Sequence, residues 1–127
     1  MQLVAVGHVE SALTDPAAAP KQGTEGAPPA TVVLDPEYAD AARDLRVGDR
    51  IVLLTWLDRA RRDVRVVHPR DDPAAPERGV FATRSADRPN PLGLHEVTVV
   101  AVDGLRIGVD ALEAVDGTPV VDVKIAI

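Results

Sequence analysis

Short apolar stretches alternate with polar, proline- and glycine-bearing connections along the whole chain. Leu3 to Val9 alternates apolar residues and predicts a first strand. Positions 14–30 (TDPAAAPKQGTEGAPPA) hold four prolines and two glycines, too many for a regular element. A connection of that length in a small domain is commonly disordered or functional. Thr31 to Leu34 predicts a short strand, and Asp35-Pro36-Glu37 has the make-up of a helix start, with an N-cap, proline at the first helical position and an acid in the first turn. The helix is expected to reach Asp44 or Leu45 before Val47-Gly48-Asp49 turns the chain. Ile51 to Leu57 is a nearly continuous apolar run, the pattern of a strand covered on both faces. Asp58 to Arg62 reads as a charged turn, Val64 to Val67 as a strand, 69–78 as a proline-containing loop and Gly79 to Thr83 as a short buried strand. Val97 to Val102 and Leu105 to Val109 flank Asp103-Gly104, a two-residue hairpin signal, and Val120 to Ile125 predicts the last strand.

Seven or eight strands with one short helix predict an all-β fold, mainly an antiparallel barrel that closes its own edges. The pattern speaks against a βαβ nucleotide fold. There is no G-x-G-x-x-G, no Walker loop, and too few helices to cover a parallel sheet. With 127 residues, a single domain over 1–127 with one core is expected. Aromatic residues are 2% of the chain, and Tyr38, Trp56 and Phe81 are the whole set, so the core must come from Val, Leu, Ile and Ala. Valine's β-branch favours strands. No apolar run approaches the roughly 18 residues of a bilayer span, and the start lacks the basic, then apolar, make-up of a secretory signal. The absence of cysteine removes disulfides and thiolate metal sites and fits a cytoplasmic setting. Three scattered histidines form no recognisable ligand set, so neither a metal nor a membrane is expected.

The net charge of −6 argues against a nucleic-acid-binding surface over the whole molecule. The charge is segregated, however. Between positions 59 and 88 lie eight arginines and five acids, against six basic and fifteen acidic residues elsewhere. Solvated surface arginines and an anion site both explain this pattern.

The segment Gly79 to Leu94, GVFATRSADRPNPLGL, carries most of the candidate chemistry. Pro89 and Pro91 fix two φ angles and bias Arg88 and Asn90 toward extended backbone. A loop so stiffened loses little entropy on holding a ligand. Asn90 can donate and accept at once, as an adenine edge requires, and Arg84 and Arg88 offer planar cationic donors. The same features fit a rigid barrel corner whose arginines pair with Asp87 and Glu77.

That run resembles the signature G-V-F-A-T-R-S-x-x-R-P-N-P-[IL]-G of the TsaA/TrmO-like family, the tRNA threonylcarbamoyladenosine methyltransferases. Leu112 to Lys124 (LEAVDGTPVVDVK) is similar to the family's L-D-x-x-D-G-T-P-V-[VL]-D-I-K, Pro20-Lys21-Gln22 to its P-R-Q, and Val6-Gly7-His8-Val9 to its opening. The resemblance covers nearly the whole chain in order. It implies a β-barrel, S-adenosylmethionine (SAM)-dependent methyltransferase, dimeric, with the cofactor site near the subunit interface. It implies as acceptor the exocyclic amine nitrogen (N6) of threonylcarbamoyladenosine beside the tRNA anticodon. Carried over by position, cofactor contacts fall on Lys21, Gln22, Leu57, Asp58, Arg84, Leu112, Asp116, Gly117 and Thr118. Asn90 joins them through its place in the stiff loop. Arg88 and Lys124 are candidates for holding the substrate.

Four departures stand out. Lys21 replaces the arginine of P-R-Q, keeping the charge and losing the bidentate fork. Leu57-Asp58 stands where many members have His-Gln, Glu10 where many have Arg, and VKIAI where the family continues to K-P-Y. The last two bear on the acceptor more than on SAM. A methyl acceptor nitrogen must also lose a proton, which invites a general base. Asp116, Asp122, His95 and His68 are the candidates, of which Asp116 and Asp122 are favoured while His95 reads as a surface residue and His68 equally as a loop residue. Asp116 equally suits a turn in Asp116-Gly117-Thr118-Pro119. Asp122 and Lys124, two apart on a strand, form a site pair or a solvated edge. The expected activity is therefore SAM-dependent methyl transfer to tRNA. A small-molecule acceptor on the same architecture and a non-catalytic SAM-binding module are the alternatives.

Overall fold

The computed structural model describes residues 1–20, 26–69 and 72–127. Its strands are β1 (Gly7–Glu10), β2 (Ala30–Leu34), β3 (Arg50–Trp56), β4 (Val66–Val67), β5 (Arg78–Gly79), β6 (Leu92–Asp103), β7 (Arg106–Val109) and β8 (Pro119–Ile125). Six of them close a barrel in the order β1-β2-β7-β6-β3-β8, antiparallel at every pairing, while β4 and β5 form a separate two-stranded ribbon. The all-β expectation holds, with the eight strands divided six and two. The hairpin forms, with its two-residue turn shifted by one to Gly104-Leu105: Asp103 ends β6 opposite Arg106, and Gly104 sits at φ 58°.

Inward positions alternate along each strand and fill the barrel. Val9, Val32, Ile51, Leu53, Val97, Val99, Ile107, Val109, Leu112 and Val120 form its centre. Each fully buried Val, Leu or Ile contributes roughly 1.5–3 kcal/mol relative to exposure, so these side chains supply the driving force that aromatic residues supply elsewhere. In β3 only Ile51, Leu53 and Thr55 are buried, while Val52, Leu54 and Trp56 on the other face stay half-exposed. The strand is therefore covered on one face rather than both. A one-residue bulge at Val121 in β8 brings Val120 opposite Thr55 while Asp122 stays opposite Leu54.

Three more expectations are corrected. The first strand begins at Gly7 rather than Leu3. The helix is a 3₁₀ turn (Pro36–Tyr38) running into α1 (Ala39–Ala42), and Asp35 stands at the N-cap without a side-chain capping bond. Gly79 to Thr83 is not a buried strand: β5 gives way at once to a 3₁₀ turn, Val80–Ala82, which buries Val80 and leaves Phe81 85% exposed.

Topology then positions the site. With six antiparallel strands, the ends of β1, β3 and β7 and the starts of β2, β6 and β8 lie at one end of the barrel. The three long connections, 11–29, 57–91 and 110–118, therefore all emerge there. The opposite end carries the tight β6–β7 hairpin and α1, whose Ala42, with Leu45 after it, packs on the core. One end is sealed by a helix and the other is an open rim.

Candidate functional site at the open rim

The two arms of the 57–91 connection are tied together by hydrogen bonds around the Arg88–Pro91 loop. Leu57 N donates to Pro91 O at 2.8 Å, Arg88 N to Arg61 O at 3.0 Å, and Arg61 N to Asp87 Oδ1 at 2.8 Å. The Arg62 guanidinium lies 5.1 Å from the Trp56 ring centroid and donates to Pro89 O at 2.7 Å and Asn90 Oδ1 at 3.0 Å. Stacking on the ring and two fixed acceptors hold this arginine in one pose. Asn90 thus gives its oxygen to the scaffold, which leaves its amide N–H groups as the part that can read a ligand.

Arg88 does internal work. Its Nε donates to Ser85 O at 2.7 Å, and its Nη2 donates to Val80 O and Thr83 O at 2.6 Å each. One side chain therefore satisfies three carbonyls of an irregular turn that no strand could pair. Among the described residues Arg84 makes no ion pair, and it is exposed on the same loop. Beside it, Arg65, Gly79, Val80, Phe81, Ala82 and Pro89 line a groove of about 430 Å³, a volume that suits a small-molecule ligand.

The third connection, 110–118, closes across the rim. Leu112 N donates to Pro28 O at 3.0 Å, Asp116 N to Leu13 O at 2.7 Å and Gly117 N to Val9 O at 2.7 Å. The Asp116 carboxylate accepts from Ser11 N at 3.0 Å, and Thr118 Oγ1 donates to Val115 O at 2.7 Å. Leu112 is fully buried in the core, so its side chain faces no ligand. Asp116 combines the two roles open to it from the sequence: it fixes the turn and sits exposed at the rim.

Leu57, Asp58, Arg84, Asn90, Leu112, Asp116, Gly117 and Thr118 all sit on connections of the open end. Lys21 and Gln22 lie outside the described residues. Asp122 and Lys124 do not join the group. They share the outer face of β8, opposite Leu54 and Val52, and Asp122 borders a cavity of about 120 Å³ beside α1, at the sealed end. His68 is a loop residue, its Nδ1 2.9 Å from Ala75 O. Among the described residues no group of three or more metal-binding side chains occurs, and no helix is long and apolar enough to cross a membrane.

His95 is the largest correction. Read from the sequence as a surface residue, it is 5% exposed inside the barrel. Its Nε2 lies 2.7 Å from Thr55 Oγ1 and its Nδ1 2.6 Å from Glu113 Oε1. Val97 and Val99 carry the signal that finds it, because counting back by twos from these inward valines puts His95 and Gly93 inside and Leu92 and Leu94 outside. Glu113 has no such signal of its own.

Glu10 is also resolved. Its carboxylate accepts from Arg106 Nη2 at 2.6 Å, and that hydrogen bond holds its pKa below the ordinary 4.5. The folded-state value is depressed, so the pair's small stabilising effect is present above the ordinary value and disappears as pH falls through the lowered one. The stability gap between wild type and Glu10→Gln, read as a urea midpoint, is expected to shrink to nothing on acidification. A gap that widened below pH 4.5 would contradict this.

The fold and rim define a class: an all-antiparallel barrel with one end sealed and three long connections gathered at the other. Residues 8–126 match the family model described as the tRNA-methyltransferase O N-terminal domain, and the chain belongs to that family. An S-adenosyl-L-methionine-binding protein of Archaeoglobus fulgidus is 40% identical over 125 residues, 98% of this chain and 88% of the relative. A probable S-adenosyl-L-methionine-binding protein of the same organism is 41% identical over 124 residues, 98% of this chain and 33% of that relative. The crystal structure of TrmO from P. aeruginosa matches with a TM-score of 0.77 at 27% identity, covering 100% of this chain and 55% of that one. The chain thus spans about half the length of that solved protein and a third of one curated relative.

Proposed function

We propose that this chain binds SAM at the open rim and transfers its methyl group, with N6 of threonylcarbamoyladenosine in tRNA as the acceptor. The observation that carries the reading is the rigid loop Arg88–Pro91, locked by Arg62 and by Arg88 itself, whose Pro89 lines a groove of about 430 Å³ and whose Asn90 keeps its amide N–H groups free of the Arg62 contact. An amide of that kind suits an adenine edge, and a pre-shaped groove lowers the ordering cost of binding. The names of the curated relatives support the cofactor, and the family name supports the reaction class.

When bound, SAM supplies an electrophilic methyl on a sulfonium, and no metal is required. The protein's part is positioning: holding donor and acceptor in line accounts for much of the rate in such a displacement. Asp116, exposed at the rim and fixed by Ser11 N, is the carboxylate best placed to take the acceptor's proton. Asp122 and Lys124 point from the outer face of β8, away from the loops of the rim, and are not assigned this role. Exposed arginines of the 57–91 connection, Arg59 and Arg84 among them, are available to tRNA phosphates.

The outer face of β3 and β6 supports a homodimer with the site near its interface. Leu54 faces Leu94 and Trp56 faces Leu92 across the ladder, and Leu92 and Leu94 remain 41% and 46% exposed. Contiguous apolar side chains on an outer face mark an interaction surface.

Calorimetric titration with SAM tests the cofactor, and S-adenosylhomocysteine release with unmodified and threonylcarbamoylated tRNA tests the acceptor. Saturable SAM binding and release dependent on the modified tRNA are expected. Folded protein that binds no SAM overturns the whole reading; release driven by a small molecule instead of tRNA overturns only the acceptor.

A further inference from the structure

The turn Val80–Ala82 holds an aromatic ring outside the fold. The chain has three aromatic residues. Tyr38 lines the small cavity beside α1, and Trp56 carries the Arg62 guanidinium over its ring. Phe81 is 85% exposed, and among the described residues no cation lies over it. Its place in the turn is nevertheless fixed. Val80 is buried, and its N–H donates to Arg65 O at 2.9 Å. Val80 O accepts from Arg88 Nη2, Thr83 N and Thr83 Oγ1, and Thr83 O accepts from the same Arg88 nitrogen. The backbone on both sides of Phe81 is therefore fastened while the ring is left open.

A ring left in water gains none of the burial that stabilises a core, and Val80, one residue earlier, takes the inward place. Phe81 lines the groove with Val80, Ala82 and Pro89, yet most of its surface stays open to solvent. Arg65 lines the same groove and Arg84 follows three residues on. Both are exposed, and among the described residues neither makes an ion pair. A free ring flanked by free guanidinium groups is the combination that binds single-stranded nucleic acid: a base stacks on the ring and phosphates meet the cations. A duplex offers no open base face, so the combination selects an unpaired base. A second copy of the chain is the poorer fit. A two-fold contact here would set the arginines of one copy against those of the other.

We propose that Phe81 is the stacking platform for an unpaired base of the acceptor RNA, with Arg65 and Arg84 taking the flanking phosphates, so that a loop and not a helix is held beside the groove. The inference rests on the tRNA reading above and adds to it the residue that selects a single-stranded loop. Because the ring is already fixed by its backbone, little ordering is left for binding to supply.

The test measures binding of an anticodon stem–loop and of a fully paired RNA duplex of equal length by wild type, Phe81→Ala, Phe81→Leu and Phe81→Trp, with SAM titrated separately. Replacing so exposed a side chain leaves the core intact, and equal Tm values check this. Phe81→Ala is expected to lose about tenfold or more for the stem–loop and less than about threefold for the duplex or SAM. Phe81→Leu, apolar but without a π face, should lose as much, while Phe81→Trp should hold or tighten the stem–loop. Wild-type indole emission comes from Trp56 alone. The added emission of Phe81→Trp should therefore be quenched by the stem–loop and not by the duplex, a readout that stands even where the alanine variant fails to fold. Unchanged stem–loop affinity in Phe81→Ala, or equal losses for stem–loop and duplex, would overturn the proposal. A loss of SAM affinity as large as that for the stem–loop would put the ring on the cofactor, and altered sedimentation would put it between two copies; either result overturns the proposal as well. Wild type that binds SAM but no stem–loop overturns the acceptor reading itself, an outcome distinct from unchanged binding by the variant.

Discussion

Gly93→Ala is expected to lower folding stability by about 3 kcal/mol. A Cβ at this position would lie 2.3 Å from Thr55 Oγ1 and 2.6 Å from His95 Nε2, both far inside contact distance. Neither neighbour can swing aside. Thr55 is β-branched on a central strand and stiff at χ1, and the imidazole is fixed at both ring nitrogens. One route of relief breaks the Thr55–His95 bond and strands two buried polar atoms, at about 1–3 kcal/mol. The other spreads β3 from β6, an overpacking cost of about 1–3 kcal/mol. For a chain of this length the total corresponds to a fall in Tm of roughly 10 °C. Differential scanning calorimetry reads it directly. A shift below about 2 °C would mean that the pair does not occupy the space over Gly93.

Arg88→Ala is expected to unfasten the irregular turn at 80–88 and to cost about 2 kcal/mol. The carbonyls of Thr83 and Ser85 lose the Arg88 donor together, and Val80 O is left with Thr83 N and Oγ1 alone. The turn is partly exposed, so water recovers some of that loss, which keeps the figure below the sum for three charge-assisted bonds. The damage is local, and hydrogen exchange should report loss of protection around the turn while β3 and β6 stay protected. Lysine keeps the charge but cannot present two nitrogens in one plane, so Arg88→Lys is expected to restore less than half of the stability. Full restoration by lysine would assign the effect to charge instead of geometry. SAM affinity, measured in parallel, should fall in both variants because the same turn borders the groove.

Where side-chain period and turn chemistry agree, the fold is legible from the chain. Asp103-Gly104 between two valine-rich runs predicts a hairpin, and Asp103 does pair with Arg106. Leu92 to Glu96 is the opposite case. Leucines alternate with glycine and histidine, so hydrophobicity alone turns the strand inside out. The barrel overrides that preference because the inward valines 97 and 99 fix the register, and a one-residue slip would move every side chain to the other face. The exposed leucines then make sense as an outer apolar face, and the inward polar positions as a buried hydrogen-bonded chain.

The candidate site was legible in its loops and not in its depth. Proline spacing identifies the stiff 88–91 loop, and the chain's resemblance to its family selects the 112–118 segment. Arg88 reads as a substrate-facing cation because sequence says nothing of the three carbonyls that claim it. Glu113 is hidden for a related reason. Its place depends on a histidine eighteen residues earlier and a threonine forty residues before that, a contact that only closure of the barrel creates.

The even number of antiparallel strands has a consequence for how such a protein can diversify. Insertions in three of its connections enlarge one rim, while the helix that seals the other end and the valine core between them stay untouched. Loop length at the rim and packing of the core are therefore separately adjustable: a lineage can rebuild the rim without re-solving how the barrel stands.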